Sequence, residues 1–173
     1  GDAAINGSGN GLANTLVGNS AVNALAGGGG ADILDGRAGN DTLTGGTGSD
    51  SYLLGRGYGA DTVMENDITI GDTDVAQFLM GIEASQIWFR QVGSSLEAGI
   101  IGTTDTLTIQ NWYVASEYHV EQFKTADGKT LLDGQVQNLV QAMAAFTPPA
   151  AGQTTLPESY AASLTPVISA NWQ

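Results

Sequence analysis

Large apolar residues recur every nine positions through the first third of the chain: Leu16, Leu25, Leu34, Leu43 and Tyr52 share one register. One inward residue between two outward neighbours is the signature of a minimal strand, because successive strand side chains point to opposite faces. Glycine-rich runs separate these strands and predict turns. A strand-and-turn unit of nine residues cannot bury its apolar face alone, so copies must stack. The pattern therefore predicts an all-β, parallel coil whose turns alternate between two sides. One coil takes about 18 residues and each turn lies on the turn two repeats away.

The clearest repeats run from Gly27 to Leu53 and read GGGGADILD, GRAGNDTLT and GGTGSDSYL, all of the form G-G-x-G-x-D-x-U-x with U a large apolar residue. Two weaker copies precede them, GNGLANTLV and GNSAVNALA, in which Asn14 and Asn23 replace the sixth-position Asp. After Leu53 the register slips by two and returns as RGYGADTVM, from Arg56 to Met64; a last echo from Gly71 to Ala76 places Asp74 at the corresponding position.

This spacing carries chemistry. Stacked strands lie about 4.8 Å apart, so Asp32 meets Asp50 and Asp41 meets Asp61 across one coil. Such pairs repel unless a cation lies between them. Calcium suits the gap, since it takes six to eight oxygen ligands in adaptable geometry and glycine turns offer carbonyls beside the carboxylates. The expected ligand set is Gly27, Gly28, Gly30 and Asp32; Gly36, Gly39 and Asp41; Gly45, Gly46, Gly48 and Asp50; Gly57, Gly59 and Asp61; and Asp74. The Asn14 and Asn23 turns are expected to keep the coil geometry with weak or absent calcium. Glu65 and Asp67 are either the closing ligands beside Asp74 or simple surface acids.

Composition narrows the function classes. The 173 residues carry 18 Asp+Glu, 5 Lys+Arg and a formal charge of −13, which argues against nucleic acid, whose phosphates are bound by clustered Lys and Arg. Nine of the acids, from Asp2 to Asp74, are aspartates concentrated with the glycines. With no Cys there is no disulfide or thiol chemistry. No apolar run reaches about 18 residues, so no membrane span is expected, nor is a secretory signal peptide evident. The chain opens at Gly1 within the repetitive stretch and reads as part of a longer polypeptide.

Beyond Phe78 glycine thins out and β-prone runs appear at 86–91, 96–101, 106–110 and 118–124, followed by a turn at Ala126-Asp127-Gly128 and a short strand at 130–132. They predict an antiparallel cap, with Trp88, Phe89, Trp112, Tyr113 and Phe123 covering the open end of the coil; an aromatic ligand groove is the competing use of those rings. A helix is predicted over 135–146, capped by Asp133, with Val136, Leu139, Val140 and Met143 on its buried face. The expected division is a β-roll over 1–64, a capping region over 65–147, and a linker with a flexible tail over 148–173. In that tail Tyr160, Leu164, Val167 and Ile168 share a helical face interrupted at Pro166, so a disordered end and an address read by a transporter both fit.

The array GGGGADILDGRAGNDTLTGGTGSDSYL resembles the RTX, or haemolysin-type calcium-binding, proteins exported by Gram-negative bacteria through type I secretion channels. SYLLGRGYGADTVMEN, GTTDTLTIQNWY, YHVEQF, VQNLVQAMAAF and the ending SLTPVISANWQ are similar to the region flanking the repeats in RTX cytolysins. The resemblance implies a secreted, monomeric calcium module at the C-terminus of a larger protein. It would engage the type I apparatus through its tail, stay unfolded at low calcium and fold outside the cell. Alternatives are a calcium-stiffened adhesive or scaffold module, or the tail of an extracellular hydrolase whose catalysis lies upstream. No enzyme activity is expected of this segment: G-x-S-x-G and H-E-x-x-H are missing, and Gly128-Lys129-Thr130 follows Phe123 where a phosphate loop needs Gly. His119, the single His, is expected to be structural or at the surface.

Overall fold

The computed structural model describes residues 3–173, so Asp2 of the acidic set lies outside the described residues. Eight strands wind first: β1 (Gly7–Ser8), β2 (Thr15–Val17), β3 (Ala24–Gly29), β4 (Ile33–Asp35), β5 (Thr42–Thr47), β6 (Ser51–Leu54), β7 (Ala60–Val63) and β8 (Val75–Phe78). Odd-numbered strands enter one sheet and even-numbered strands the other, which is the alternation that nine-residue turns demand. Pairing is parallel throughout. The product is a flattened β-solenoid.

Register turns the sequence period into a core. Leu16 pairs with Leu34, Leu34 with Tyr52 and Tyr52 with Ala76 in one sheet, while Leu25, Leu43 and Val63 align in the other. All of these are buried. The coil lengthens as it proceeds: the aligned step is 18 residues from Asp32 to Asp50, 20 from Asp41 to Asp61 and 24 from Asp50 to Asp74. The additional residues leave the sheets as loops.

The remaining strands are β9 (Ile87–Val92), β10 (Ser95–Ile100), β11 (Thr106–Ile109), β12 (Gln122–Lys124) and β13 (Thr130–Leu132). They are not a separate antiparallel layer. β11 pairs parallel with β7 and β12 parallel with β8, so the coil continues into the cap. Antiparallel strands β10 and β9 then extend one sheet, and β13 the other. Phe123 extends the Leu16 to Ala76 stack and Ile109 extends the other. The run expected over 118–124 narrows to β12, because Ser116–Tyr118 form a 3₁₀ turn.

Helix α1 (Asp133–Met143) buries Val136, Leu139, Val140 and Met143, as the spacing predicts. Leu132 holds its N-cap position; Asp133 is the first helical residue and sends Oδ2 to His119 Nδ1 at 3.2 Å. The tail is a second helix, α2 (Glu158–Asn171), rather than a flexible end. It packs on α1 because Leu164, Ile168 and Trp172 form an i, i+4, i+8 stripe, all buried. Pro166 lies on the exposed side, where the carbonyl freed by its missing N–H can be satisfied by water. Gln173 closes the chain by exchanging two backbone hydrogen bonds with Thr130.

Trp88, Phe89, Trp112 and Phe123 are at most 5% exposed, and Phe89 meets Phe123 edge-on at 5.3 Å. Core packing uses these rings. His119 stacks on Trp112 at 3.9 Å and its Nε2 lies 2.9 Å from the Trp112 carbonyl oxygen.

Candidate metal centre

Each glycine turn delivers an aspartate to the point where the chain enters a strand. Asp32, Asp41, Asp50, Asp61 and Asp74 are all buried, at 0 to 3% exposure, although burial of an unpaired carboxylate is strongly unfavourable. Half of each side chain is accounted for. The amide of Asn14 donates to Oδ1 of Asp32, that of Asp32 to Asp50, and that of Asp50 to Asp74, at 2.7 to 2.8 Å. On the opposite side Asn23 donates to Asp41 and Asp41 to Asp61. Two ladders of amide-to-carboxylate bonds thus run along the two edges of the solenoid.

The other half is not. Oδ2 of Asp32, Asp41, Asp50 and Asp61 is buried without a hydrogen-bond partner. Three of these oxygens face their own turns: a Cβ built on Gly27 would strike Asp32 Oδ2, one on Gly36 Asp41 Oδ2, and one on Gly45 Asp50 Oδ2. The same Gly27 methyl would come within 2.7 Å of the Gly45 carbonyl from the next coil. Carboxylate oxygen and stacked carbonyl therefore converge where glycine leaves room. A row of charge-bearing oxygen donors, without nitrogen or sulfur, fits calcium.

The second and fourth glycines shape the turn. Gly28, Gly30, Gly39, Gly46, Gly48, Gly57 and Gly59 all have positive φ. At Gly46 a side chain is doubly excluded, by φ of 110° and by collision with the Gly28 carbonyl. Arg37 occupies a second position at φ 64° and accepts the left-handed conformation that glycine takes elsewhere.

Electrostatics agrees with the geometry. Burial raises the Asp61 and Asp74 carboxyls to about 7 and Asp50 to about 6, with repulsion from neighbouring carboxylates adding to the rise, and Asp41 is raised by the same causes. The metal-free fold therefore holds acids it disfavours ionising.

Asn14 and Asn23 differ as the sequence suggests. Their Oδ1 atoms accept the amides of Asn10 and Asn19 within their own turns, so these oxygens are satisfied without an ion. Asp67 turns toward amides as well, accepting from Gly48 and Thr69.

Sequence reasoning missed the ends of the ladders. Glu121 accepts the Asp74 amide at 2.7 Å, and Asp105 accepts the Gly57 and Gly59 amides, each at 2.9 Å. A signal was present for Asp105: Asp-Thr-Leu-Thr at 105–108 repeats the tetrapeptide at 41–44. Glu121 had none, because it immediately precedes a strand outside any glycine turn.

Comparison with known proteins agrees with this construction. The RTX calcium-binding nonapeptide repeat matches at 8–43, 17–52 and 26–62, and the haemolysin-type calcium-binding-protein-related domain matches at 96–134. The chain is 35% identical over 93 residues to the iron-regulated protein FrpA of Neisseria meningitidis serogroup C; the match covers 52% of this chain and 8% of that protein. Among the described residues no helix is long and apolar enough to cross a membrane.

Proposed function

From its RTX calcium-binding repeats, which make this a calcium-binding chain of the haemolysin type, we propose a non-catalytic folding module of a larger exported protein, unfolded at low calcium and folded by calcium outside the cell. The observation that carries this reading is the row of buried, partnerless Oδ2 atoms on Asp32, Asp41, Asp50 and Asp61. Bound calcium supplies the positive charge that these oxygens lack. The chain's own residues do the rest. Amides of the preceding coil fix each carboxylate by Oδ1, and the first glycine of each turn leaves space for the ion. Without the ion, several buried anions face one another in a solenoid that contributes one large inward side chain per nine residues, so metal binding becomes folding free energy. Extracellular modules of this kind bind at roughly 10⁻⁴ to 10⁻³ M, which separates a low-calcium cytosol from the exterior.

The unabsorbed residues support the same role. His119 is held between the Trp112 ring and Asp133, and the repeat carboxylates are committed to the ladders. We place the type I export address in the tail, to be read before α2 folds onto the cap.

The test is a calcium titration followed by far-UV circular dichroism, with magnesium and an Asp32→Ala/Asp50→Ala variant beside it. A cooperative coil-to-β transition near millimolar calcium, absent with magnesium and impaired in the variant, supports the reading. A chain fully folded in chelator and unchanged by calcium would overturn it and favour an adhesive module.

A further inference from the structure

Three carboxylates meet where the solenoid gives way to its cap. Asp50 precedes β6, Glu65 follows β7 and Asp74 precedes β8, yet each brings one oxygen within 4.8 Å of the others. They are 0%, 4% and 3% exposed. The ion pairs formed among the described residues are Arg37–Asp35 and Arg90–Glu97, and His119 contacts Asp133, so none of these groups neutralises this cluster.

Each acid is fixed at one oxygen. The Tyr52 hydroxyl donates to Glu65 Oε1 and itself accepts the Gly45 amide at 2.9 Å. Asp50 is held through Oδ1 by the Asp32 amide, and Asp74 through Oδ1 by the Asp50 amide. Asp50 Oδ2 and Glu65 Oε2 remain buried and without a partner. Glycine is required beside them: a Cβ on Gly45 would collide with both Asp50 Oδ2 and the Tyr52 hydroxyl that holds Glu65.

We propose that Glu65 and Asp74 close the Asp50 turn into a three-carboxylate divalent-cation site, filled by calcium, in which Glu65 is a ligand from outside the repeats and Tyr52 positions it. The proposal rests on the calcium reading above. It differs from the repeat sites in kind, since those join one free carboxylate oxygen to turn carbonyls whereas this one gathers three carboxylates from three elements. Ligand charge count is a main determinant of calcium affinity, so this site binds tighter than the repeat sites and fills first. Its position gives that order a purpose: occupancy clamps the loop between β7 and β8 onto the turn before β6, setting the C-terminal end from which earlier coils stack.

Equilibrium dialysis with calcium near neutral pH tests this, comparing the wild-type chain with Glu65→Gln, which keeps an oxygen for the Tyr52 hydroxyl but loses the charge. The expected result is loss of the tightest class of site, or a drop of about tenfold or more in its affinity, with the weaker sites retained and the circular dichroism unchanged at saturating calcium. Equal number and affinity of sites in the two chains would overturn the proposal. A wild-type chain that binds no calcium would instead sink the calcium reading itself. Should Glu65→Gln not fold, Tyr52→Phe decides with terbium as probe. The first equivalent must show tyrosine-sensitised emission that Tyr52→Phe loses and bind about tenfold or more weaker in that variant, as removal of an outer-shell partner does. Unchanged emission and affinity overturn the proposal.

Discussion

The Asp32 amide donates to Asp50 Oδ1 at 2.8 Å across a step of 18 residues. That bond sets the rotation of the Asp50 carboxyl and leaves Oδ2 buried in the turn without a partner. One side chain thus performs two tasks: one oxygen stacks the coils and the other awaits a cation. Because the bond is repeated from Asn23 to Asp41 and from Asp50 to Asp74, stacking and ion binding are coupled along both edges.

Asp50→Asn separates these tasks. The amide keeps an oxygen for Asp32 but removes the charge, so repulsion falls in the metal-free chain while a ligand is lost. The expected outcome is a calcium midpoint raised about tenfold or more, together with more residual structure in chelator. Far-UV circular dichroism across a calcium titration measures both, and an unchanged midpoint would contradict the assignment of Oδ2 as a ligand.

Acid acts on the metal-free chain in the opposite direction from ordinary acid denaturation. Burial raises Asp61 and Asp74 to about 7 and Asp50 to about 6, above their usual value of 3.8. A group raised on folding contributes stability that is full below its unfolded pKa and is lost as pH rises through the folded one. Calcium-free protein is therefore more folded near pH 5 than near pH 8, with the change falling between about 4 and 7. Calcium affinity moves the other way, weakening toward pH 5 as protons compete for the same oxygens. Circular dichroism in calcium-stripped buffer tests the first statement, and a flattened profile in Asp61→Asn ties it to the ladder.

How much of this was legible in the sequence depended on period. Nine-residue register shows the solenoid, its inward residues and Asp32, Asp41 and Asp50, because one turn places one core residue and one acid at fixed offsets. Where the step stretches to 20 and 24 residues the partners of Asp41 and Asp50 are still recognisable, since Asp61 and Asp74 keep their place two residues before an inward side chain, Val63 and Ala76. Glu65 stays open between ligand and surface acid in the sequence because its burial follows from the path of a loop, which no local pattern encodes. The antiparallel pairing within the cap is legible from its short runs and turns, but the parallel joins to the solenoid are not, because runs such as 106–110 show alternation but not their partner; β11 pairs with β7, about 46 residues away. The tail's helical face, Tyr160, Leu164, Val167 and Ile168, does not by itself show that it docks; Trp172 completes the buried stripe of α2.

Two substitutions of opposite sign probe the turns. Gly46→Ala puts a methyl against the Gly28 carbonyl at φ 110°, and should cost the calcium-loaded protein about 3 kcal/mol or more. Arg37→Gly relieves a side chain held at φ 64°, worth roughly 1 to 2 kcal/mol, against an unfolded-state entropy loss of up to about 1 kcal/mol. The net expectation is a gain of up to about 1 kcal/mol, because its ion pair with Asp35, at 3.9 Å and on an exposed side chain, contributes little. Denaturant unfolding at saturating calcium reads both; a destabilised Arg37→Gly chain would mean that the arginine packs in a way that outweighs its backbone strain.

Trp172 ties the end of the chain to the cap. It is 3% exposed, its ring lies 6.4 Å from that of Phe89, and the next residue exchanges two backbone hydrogen bonds with Thr130. Truncating a buried Trp costs about 3 to 5 kcal/mol, so Trp172→Ala should lower the unfolding free energy of the calcium-loaded protein by that amount, read as an earlier denaturant midpoint, while Trp172→Phe recovers most of it. No repeat carboxylate is touched, so the number of calcium ions bound at saturation should stay the same. On the export reading, a tail buried this way can be recognised only before the cap forms. Pre-folding the chain with calcium should therefore block recognition by the transporter, and Trp172→Ala, by loosening α2, should restore part of it. Pull-down of the type I apparatus with calcium-loaded and calcium-free chain measures this; equal capture of both forms would show that the address lies outside the buried helix.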